Sequence, residues 1–271
     1  MLLLHIIILA LVQGITEFLP VSSSGHLVLT HSLLGENVGD LCWEKNRTLD
    51  VAVHVGTLLS VLVYFRGELF KMSRTCLVKD SQERRLLTYI AIASVPVIVA
   101  GLVLQIWKPD WLCLLEITAW TTLIFGILLG VADKYKPCEK TLGQMTMKDS
   151  ILIGLSQALA LIPGTSRSGV TMTAARFLGF TRVEAAHFSL LLAIVAIGGA
   201  GFLGTLDLIQ NGQIDLGIEA LIAVILSFLS GWAAIAVMMK WLEKSTFMPF
   251  VIYRVILGIA LLGLIYSGIL G

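Results

Sequence analysis

The sequence predicts an all-α polytopic membrane protein with six full transmembrane helices and two re-entrant broken-helix pairs, arranged as an inverted-topology repeat. Three observations carry this expectation. Of 271 residues, 57% are hydrophobic and 14% charged, well outside the usual soluble balance. Six apolar runs, residues 49–65, 86–107, 111–132, 183–206, 216–239 and 250–270, can each cross a hydrocarbon core, which takes a helix of about 17 to 25 residues. Two further apolar regions, 2–34 and 149–178, are interrupted, the first by Pro20 and Gly25, the second by Pro163, Gly164 and Gly169.

The first region begins with an apolar stretch, residues 2–12, that lacks a basic lead and a small-x-small cleavage site, so it is expected to stay in the mature protein. Each interrupted region reads as two half-length helices meeting at a polar turn. Proline ends a helix and frees backbone groups that lipid cannot satisfy, so such a break must be buried in protein or face a wet cavity. The linkers set the expected topology. Arg66, Lys71, Arg74, Lys79, Arg84 and Arg85 follow the first full span, and Lys134, Lys136, Lys140 and Lys148 follow the third. By the positive-inside rule both loops, about 66–85 and 133–148, are cytoplasmic. Counting outward places residues 35–48, Asp207 and Asp215 outside, puts both termini on the exterior, and has the two broken regions entering from opposite faces.

That arrangement implies a duplication, and the sequence carries one. A shift of 144 residues without a gap matches Leu11 with Leu155, Gln13 with Gln157, Ser22 with Ser166, Ser24 with Ser168, Gly25 with Gly169, Leu34 with Leu178 and Gly35 with Gly179. The chain therefore reads as one integral membrane domain, 1–271, with repeat halves at about 1–132 and 149–271. Membrane folds with broken helices often place their sites at such a repeat interface.

The copies differ where the chemistry lies. Under the same shift Glu17 meets Leu161, His26 meets Val170 and Ser23 meets Arg167. Arg167 sits in Pro-Gly-Thr-Ser-Arg-Ser-Gly, where small residues and helix N-terminal amides suit an anion and the guanidinium fork matches phosphate oxygens. The alternative is that Arg167 only neutralises Glu17. Gln13 and Glu17, four residues apart, share a helix face. Ser22, Ser23 and Ser24 are candidate caps and anion donors for a half-helix starting near His26. Among the other histidines, His54 and His187 read as packing residues. Cys42, Cys76, Cys113 and Cys138 stand singly and read as filler, not as a zinc site or disulfide framework. No basic run with interleaved aromatics suggests nucleic acid.

Residues 13–26, Gln-Gly-Ile-Thr-Glu-Phe-Leu-Pro-Val-Ser-Ser-Ser-Gly-His, closely resemble the first signature of the bacterial undecaprenyl-diphosphate phosphatases of the bacitracin-resistance family. Residues 163–169 resemble the second, and the likeness extends over nearly the full chain, including Phe-Met-Pro-Phe-Val-Ile-Tyr-Arg at 247–254. The family carries Glu or Gln at the position of Gln13, which leaves a second catalytic carboxylate in doubt here. The resemblance implies hydrolysis of undecaprenyl diphosphate to the monophosphate carrier used for peptidoglycan, a divalent cation (Mg2+ or Ca2+), a location in the bacterial inner membrane and a tendency to homodimerise. Fitted to phosphoryl transfer, Glu17 holds the metal or acts as base, His26 is the general acid or base, Arg167 clamps the diphosphate and Ser23 is the candidate nucleophile, with a metal-activated water as the alternative. Gln13, Ser22, Ser24, Gly25, Ser166, Ser168, Gly169 and Arg254 are expected to contact the substrate, Arg254 as a second anion contact or as a snorkelling or paired side chain. A transporter or flippase of an anionic polyprenyl lipid is the rival reading, because inverted repeats with broken helices also build transporters.

Overall fold

The computed structural model describes residues 3–33, 47–75, 78, 81–135, 139–210 and 217–268. Leu34, Gly35, Cys42, Cys76, Lys79, Lys136, Cys138 and Asp215 lie outside these residues. The described chain is helical: α1 (Leu3–Phe18), α2 (Ser23–Leu33), α3 (Arg47–Tyr64), α4 (Arg66–Thr75), α5 (Gln82–Trp107), α6 (Leu115–Lys134), α7 (Met147–Ala158), α8 (Arg167–Phe177), α9 (Arg182–Gln210), α10 (Ile218–Leu242) and α11 (Met248–Tyr266). Five of these, α5, α6, α9, α10 and α11, are long and apolar enough to cross a membrane, and the bent pair α3 and α4 supplies a sixth candidate. The chain is a multi-pass membrane protein, and the six expected spans all have helices.

Boundaries shift for local reasons. The basic stretch after the first span, expected as a loop, contains α4, bent by 72° from α3. Leu69 and Met72 give that segment an apolar side, and Met72 is buried in the main core. Ser81 starts α5 by accepting a hydrogen bond from Arg84 N. Residues Asp110–Cys113 form a 3-10 turn, so the third span starts at Leu115 and not at Trp111. Pro249 sits in the first turn of α11, where its missing N–H costs nothing. The second half-helix of the first broken region starts at Ser23, three residues before the expected His26, because Pro20 and Val21 already complete the turn. Cys113 is disulfide-bonded, which corrects the reading of that residue as filler.

Packing follows the duplication. The shift of 144 maps α2 onto α8 end to end and starts α1 and α7 at equivalent residues. Helix α1 packs on α10 of the other half, and its counterpart α7 packs on α5; α3 meets α9, and α6 meets α11. Each half thus buries its first helix against the other half, so neither half forms a closed bundle alone. Lipid tails are as apolar as leucine, so close backbone approach carries much of helix association. Gly14 on α1 and Gly56 on α3 face Ser227 on α10, and Gly154 on α7 lies against the Ala93 backbone of α5. The central element is α9, where Phe188, Leu190, Leu191, Leu192 and Ala193 are all buried.

The second break has the tightest backbone. Gly164 has φ +85°, and a Cβ there would run into the Thr118 carbonyl and the Thr121 hydroxyl of α6. Gly179 also has positive φ, +94°, but faces open space. Gly164→Ala is therefore expected to destabilise the protein by roughly 3 kcal/mol or more, and Gly179→Ala by about 1 kcal/mol from backbone conformation alone. Thermal unfolding of the two variants in the same detergent checks the order.

Candidate functional site

The two breaks meet. At the first, α1 ends at Phe18 and α2 begins at Ser23; at the second, α7 and a short 3-10 turn end at Leu161 and α8 begins at Arg167. Both are closed by the same device. Ser22 (φ 75°) and Ser166 (φ 71°) are left-handed non-glycine residues, 144 positions apart. Each accepts a hydrogen bond on Oγ from the backbone N–H three residues on, Gly25 to Ser22 at 3.4 Å and Gly169 to Ser166 at 3.1 Å. Each also pairs with the serine two residues later, Ser24 at 3.3 Å and Ser168 at 3.2 Å. Two helix N-termini with capping serines therefore open on one junction, and their amides favour an anion.

Arg254 locks that junction. Its side chain is fully buried. Nη2 donates to the carbonyls of Gly164 (2.9 Å), Thr165 (3.0 Å) and Thr121 (3.4 Å), Nη1 to Pro20 O (3.4 Å) and Nε to Thr122 O (3.1 Å). Ser168 Oγ adds a bond across the breaks to Leu19 O at 2.9 Å. The carbonyls freed by the breaks thus find partners inside the protein, as lipid requires. Of the two readings of Arg254, an anion contact or a paired side chain, the structure shows its guanidinium paired with backbone carbonyls, and it is also close enough to Gly169 that a Cβ there would lie 2.7 Å from Nη1. Arg254→Met, which keeps apolar bulk and leaves these carbonyls without donors, is expected to cost about 3–5 kcal/mol. A fall in the thermal midpoint in detergent of only a degree or two would contradict this.

Above the lock the polar side chains converge. Glu17 is 92% buried, at the end of α1. Its Oε2 accepts from Gln13 Nε2 at 2.9 Å and from Ser23 Oγ at 2.7 Å, and its Oε1 accepts from Arg167 Nη2 at 3.2 Å. Arg167 Nη1 also donates to Ser189 O at 3.2 Å. The ion pair weighed against the phosphate-clamp reading is therefore present, and it links the two copies of the repeat. These two bonds leave other N–H donors on the fork of Arg167. Ser23 and His26 are half-buried and Ser24 is exposed, so the hydroxyl and imidazole lie at the accessible edge of the cluster. His26 Nδ1 is 2.7 Å from Ser22 O, and its Nε2 meets the Tyr253 hydroxyl.

Glu17, Ser23, Arg167, Gln13, the capping serines Ser22 and Ser166 and their partners Ser24 and Ser168 are thus brought to one junction, with Gly25 and Gly169 donating into the caps and His26 on the first turn of α2. Sequence reasoning passed over two neighbours, Tyr253 and Ser189. Tyr253 had a signal, since it lies inside the 247–254 stretch. His54, read as a packing residue, has Nδ1 2.7 Å from Asp50 O on its own helix. Ser189 had none, because nothing along α9 marks which residue faces Arg167. His187, the other packing histidine, pairs with Glu68 at 2.8 Å and stacks on Phe65.

A divalent cation is implied by the resemblance. Among the described residues no group of three His, Cys, Asp or Glu side chains is placed to hold one. The donors present suit an ion that takes most of its ligands from phosphate and water, as Mg2+ commonly does. Gln13 Oε1 is a buried acceptor without a hydrogen-bond partner, one side chain away from the Glu17 carboxylate. Those two groups fit such an ion.

Fold and site together define a class: a polytopic α-helical membrane protein with a polar, anion-suited site where two broken helices of a repeat meet. Comparison with known proteins makes the assignment specific. Residues 6–260 match the family model described as bacitracin resistance protein BacA, and the chain belongs to that family. It is similar to the undecaprenyl-diphosphatase of Hahella chejuensis, 46% identical over 269 residues, covering 97% of this chain and 98% of that protein. It is 42% identical to the undecaprenyl-diphosphatase of Alteromonas mediterranea, with 98% and 100% covered, and 47% identical to undecaprenyl-diphosphatase 1 of Rhodospirillum rubrum, with 99% and 97% covered.

Proposed function

We infer that this protein is an undecaprenyl-diphosphate phosphatase, which converts undecaprenyl diphosphate to undecaprenyl phosphate and inorganic phosphate and thereby recycles the lipid carrier of peptidoglycan synthesis. Full-length similarity to proteins of that name supports the substrate. The observation that supports the chemistry is the cluster in which Glu17 receives both the Ser23 hydroxyl and the Arg167 guanidinium. Anion binding alone has no use for a carboxylate holding a serine proton.

The residue roles follow as part of the same proposal. The diphosphate enters between the N-termini of α2 and α8, and Arg167 turns its unused donors to phosphate oxygens. The Ser23 hydroxyl passes its proton to Glu17 Oε2 as Oγ bonds to the terminal phosphorus and the bridging P–O bond breaks, releasing undecaprenyl phosphate. Water then attacks the phosphoserine, its proton ending on His26 Nε2, the Oγ–P bond breaks, Glu17 returns its proton to Ser23, and His26 releases its proton to solvent. Glu17 and Gln13 Oε1 would hold the divalent ion, Mg2+ or Ca2+, which when bound neutralises charge on the diphosphate. Ser22, Ser24, Ser166, Ser168 and the amides near Gly25 and Gly169 line the phosphate side, while Arg254 supports the junction behind them. Exterior access, exterior termini and residence in the bacterial inner membrane belong to this reading, supported by the basic residues after the first and third spans. So does a homodimer, for which a single-chain particle in mild detergent would be contrary evidence.

Purified protein in detergent, where transport is impossible, is expected to release phosphate from undecaprenyl diphosphate, to stop on chelation and to resume on adding Mg2+ or Ca2+. Lipid flux in vesicles with no phosphate release would establish the flippase reading instead. Arg167→Ala and Glu17→Ala are expected to lower turnover by about 10²- to 10³-fold while the protein still folds. Ser23→Ala is expected to lose at least about 10³-fold, by analogy with other activated nucleophiles. Near-normal turnover by the Ser23 variant would remove the covalent route and leave attack by water.

A further inference from the structure

Both nitrogens of the His26 ring are engaged, and the partners differ in kind. Nδ1 faces the Ser22 carbonyl at 2.7 Å. A carbonyl can only accept, so Nδ1 carries a proton whether the ring is neutral or charged. The neutral ring then presents its lone pair at Nε2, the nitrogen that meets the Tyr253 hydroxyl. A phenol both donates and accepts. It donates to Nε2 while the ring is neutral and accepts from Nε2–H when the ring is charged; because it fills the one lone pair of Nε2, a proton reaches that nitrogen by way of the hydroxyl. A carboxylate there would only accept and would hold the ring charged; a phenylalanine would do neither.

The tyrosine is delivered from the far end of the chain. Tyr253 and His26 are 227 residues apart, and their rings lie nearly parallel at 13° with centroids 5.6 Å apart. The next residue is Arg254, bonded to carbonyls at both breaks, so the register of α11 that brings Tyr253 to His26 is set by the junction itself. Tyr253 is 44% exposed, so core packing does not account for its placement.

We propose that Tyr253 carries the proton between the attacking water and His26 in phosphate release: its hydroxyl fixes the plane of the imidazole, hands its own proton to Nε2 as it takes one from the water, and then accepts the Nε2–H bond. The proposal rests on reading the site as a phosphohydrolase. In the step concerned, the attacking water forms its bond to phosphorus, its O–H bond breaks, its proton bonds to Tyr253 Oη while the Tyr253 O–H bond breaks and that proton forms Nε2–H, so Tyr253 ends the step neutral and His26 holds the added proton.

The test is a double-mutant cycle on the full-length protein in detergent, with undecaprenyl diphosphate as substrate. Tyr253→Phe removes one oxygen and keeps the ring, so the thermal midpoint is expected to stay within a few degrees of wild type. Its kcat is expected to fall about 100-fold, the low end for loss of a group that moves a proton in the transition state, with KM changed less than about twofold. In a His26→Ala background the same substitution is expected to have no further effect, because the group it acts through is gone. Turnover by Tyr253→Phe within twofold of wild type would overturn the proposal, and so would a loss that multiplies with that of His26→Ala. Absence of phosphate release by the wild-type protein would instead refute the reading of the site, so the two failures are distinct.

Discussion

A helix broken inside a membrane leaves carbonyl groups that lipid cannot serve, and this protein contains two such breaks. Arg254 answers that constraint. Its buried guanidinium takes carbonyls from Pro20 on one side and from Gly164 and Thr165 on the other, with Thr121 and Thr122 of α6 completing the set. An isolated charge at that depth is expensive. The carbonyl dipoles solvate it, and it in turn supplies their donors, so neither would be stable alone. Its planar fork matters here, since a lysine ammonium could not span groups lying on three elements. The position of both helix N-termini, and through α11 that of Tyr253, depends on this interaction.

The two halves share a scaffold but not a chemistry. Ser22 and Ser166 share a positive φ and make the same pair of bonds, which identifies the junction as a duplicated structural device. Where the copies diverge, their contributions complement one another. The first brings Glu17, Ser23 and His26; the second brings Arg167, which reaches back to Glu17 across 150 residues of sequence. The exchange of first helices between the halves, α1 on α10 and α7 on α5, keeps the two contributions together.

Much of this was legible along the chain because the membrane restricts what a sequence can mean. Uninterrupted apolar runs must be helices, a Pro leading into a run of Ser and Gly reads as a break while the lone Pro96 stays inside α5, and polar groups at a break need a purpose. The exact register of the repeat came from Gln, Ser and Gly matches that apolar composition does not produce. Those same rules named Glu17, Ser23, His26 and Arg167. They were weaker at boundaries, where α4 turned a basic loop into a bent helix, and at Arg254, whose type suggested an anion contact while its surroundings gave it carbonyls. Cys113, read as filler from its isolation in sequence, is disulfide-bonded, a pairing that spacing along the chain does not reveal.

By itself, then, the sequence determined the helical membrane class, the two breaks, the duplication and the inventory of reactive groups, since each depends on local composition or on a fixed offset along one chain. Only the tertiary structure decided which groups meet. The pairing of Glu17 with Arg167, of His26 with Tyr253 and of Arg254 with both breaks depends on helix faces and crossing positions. Those are set by close packing between distant segments, and no local pattern records them.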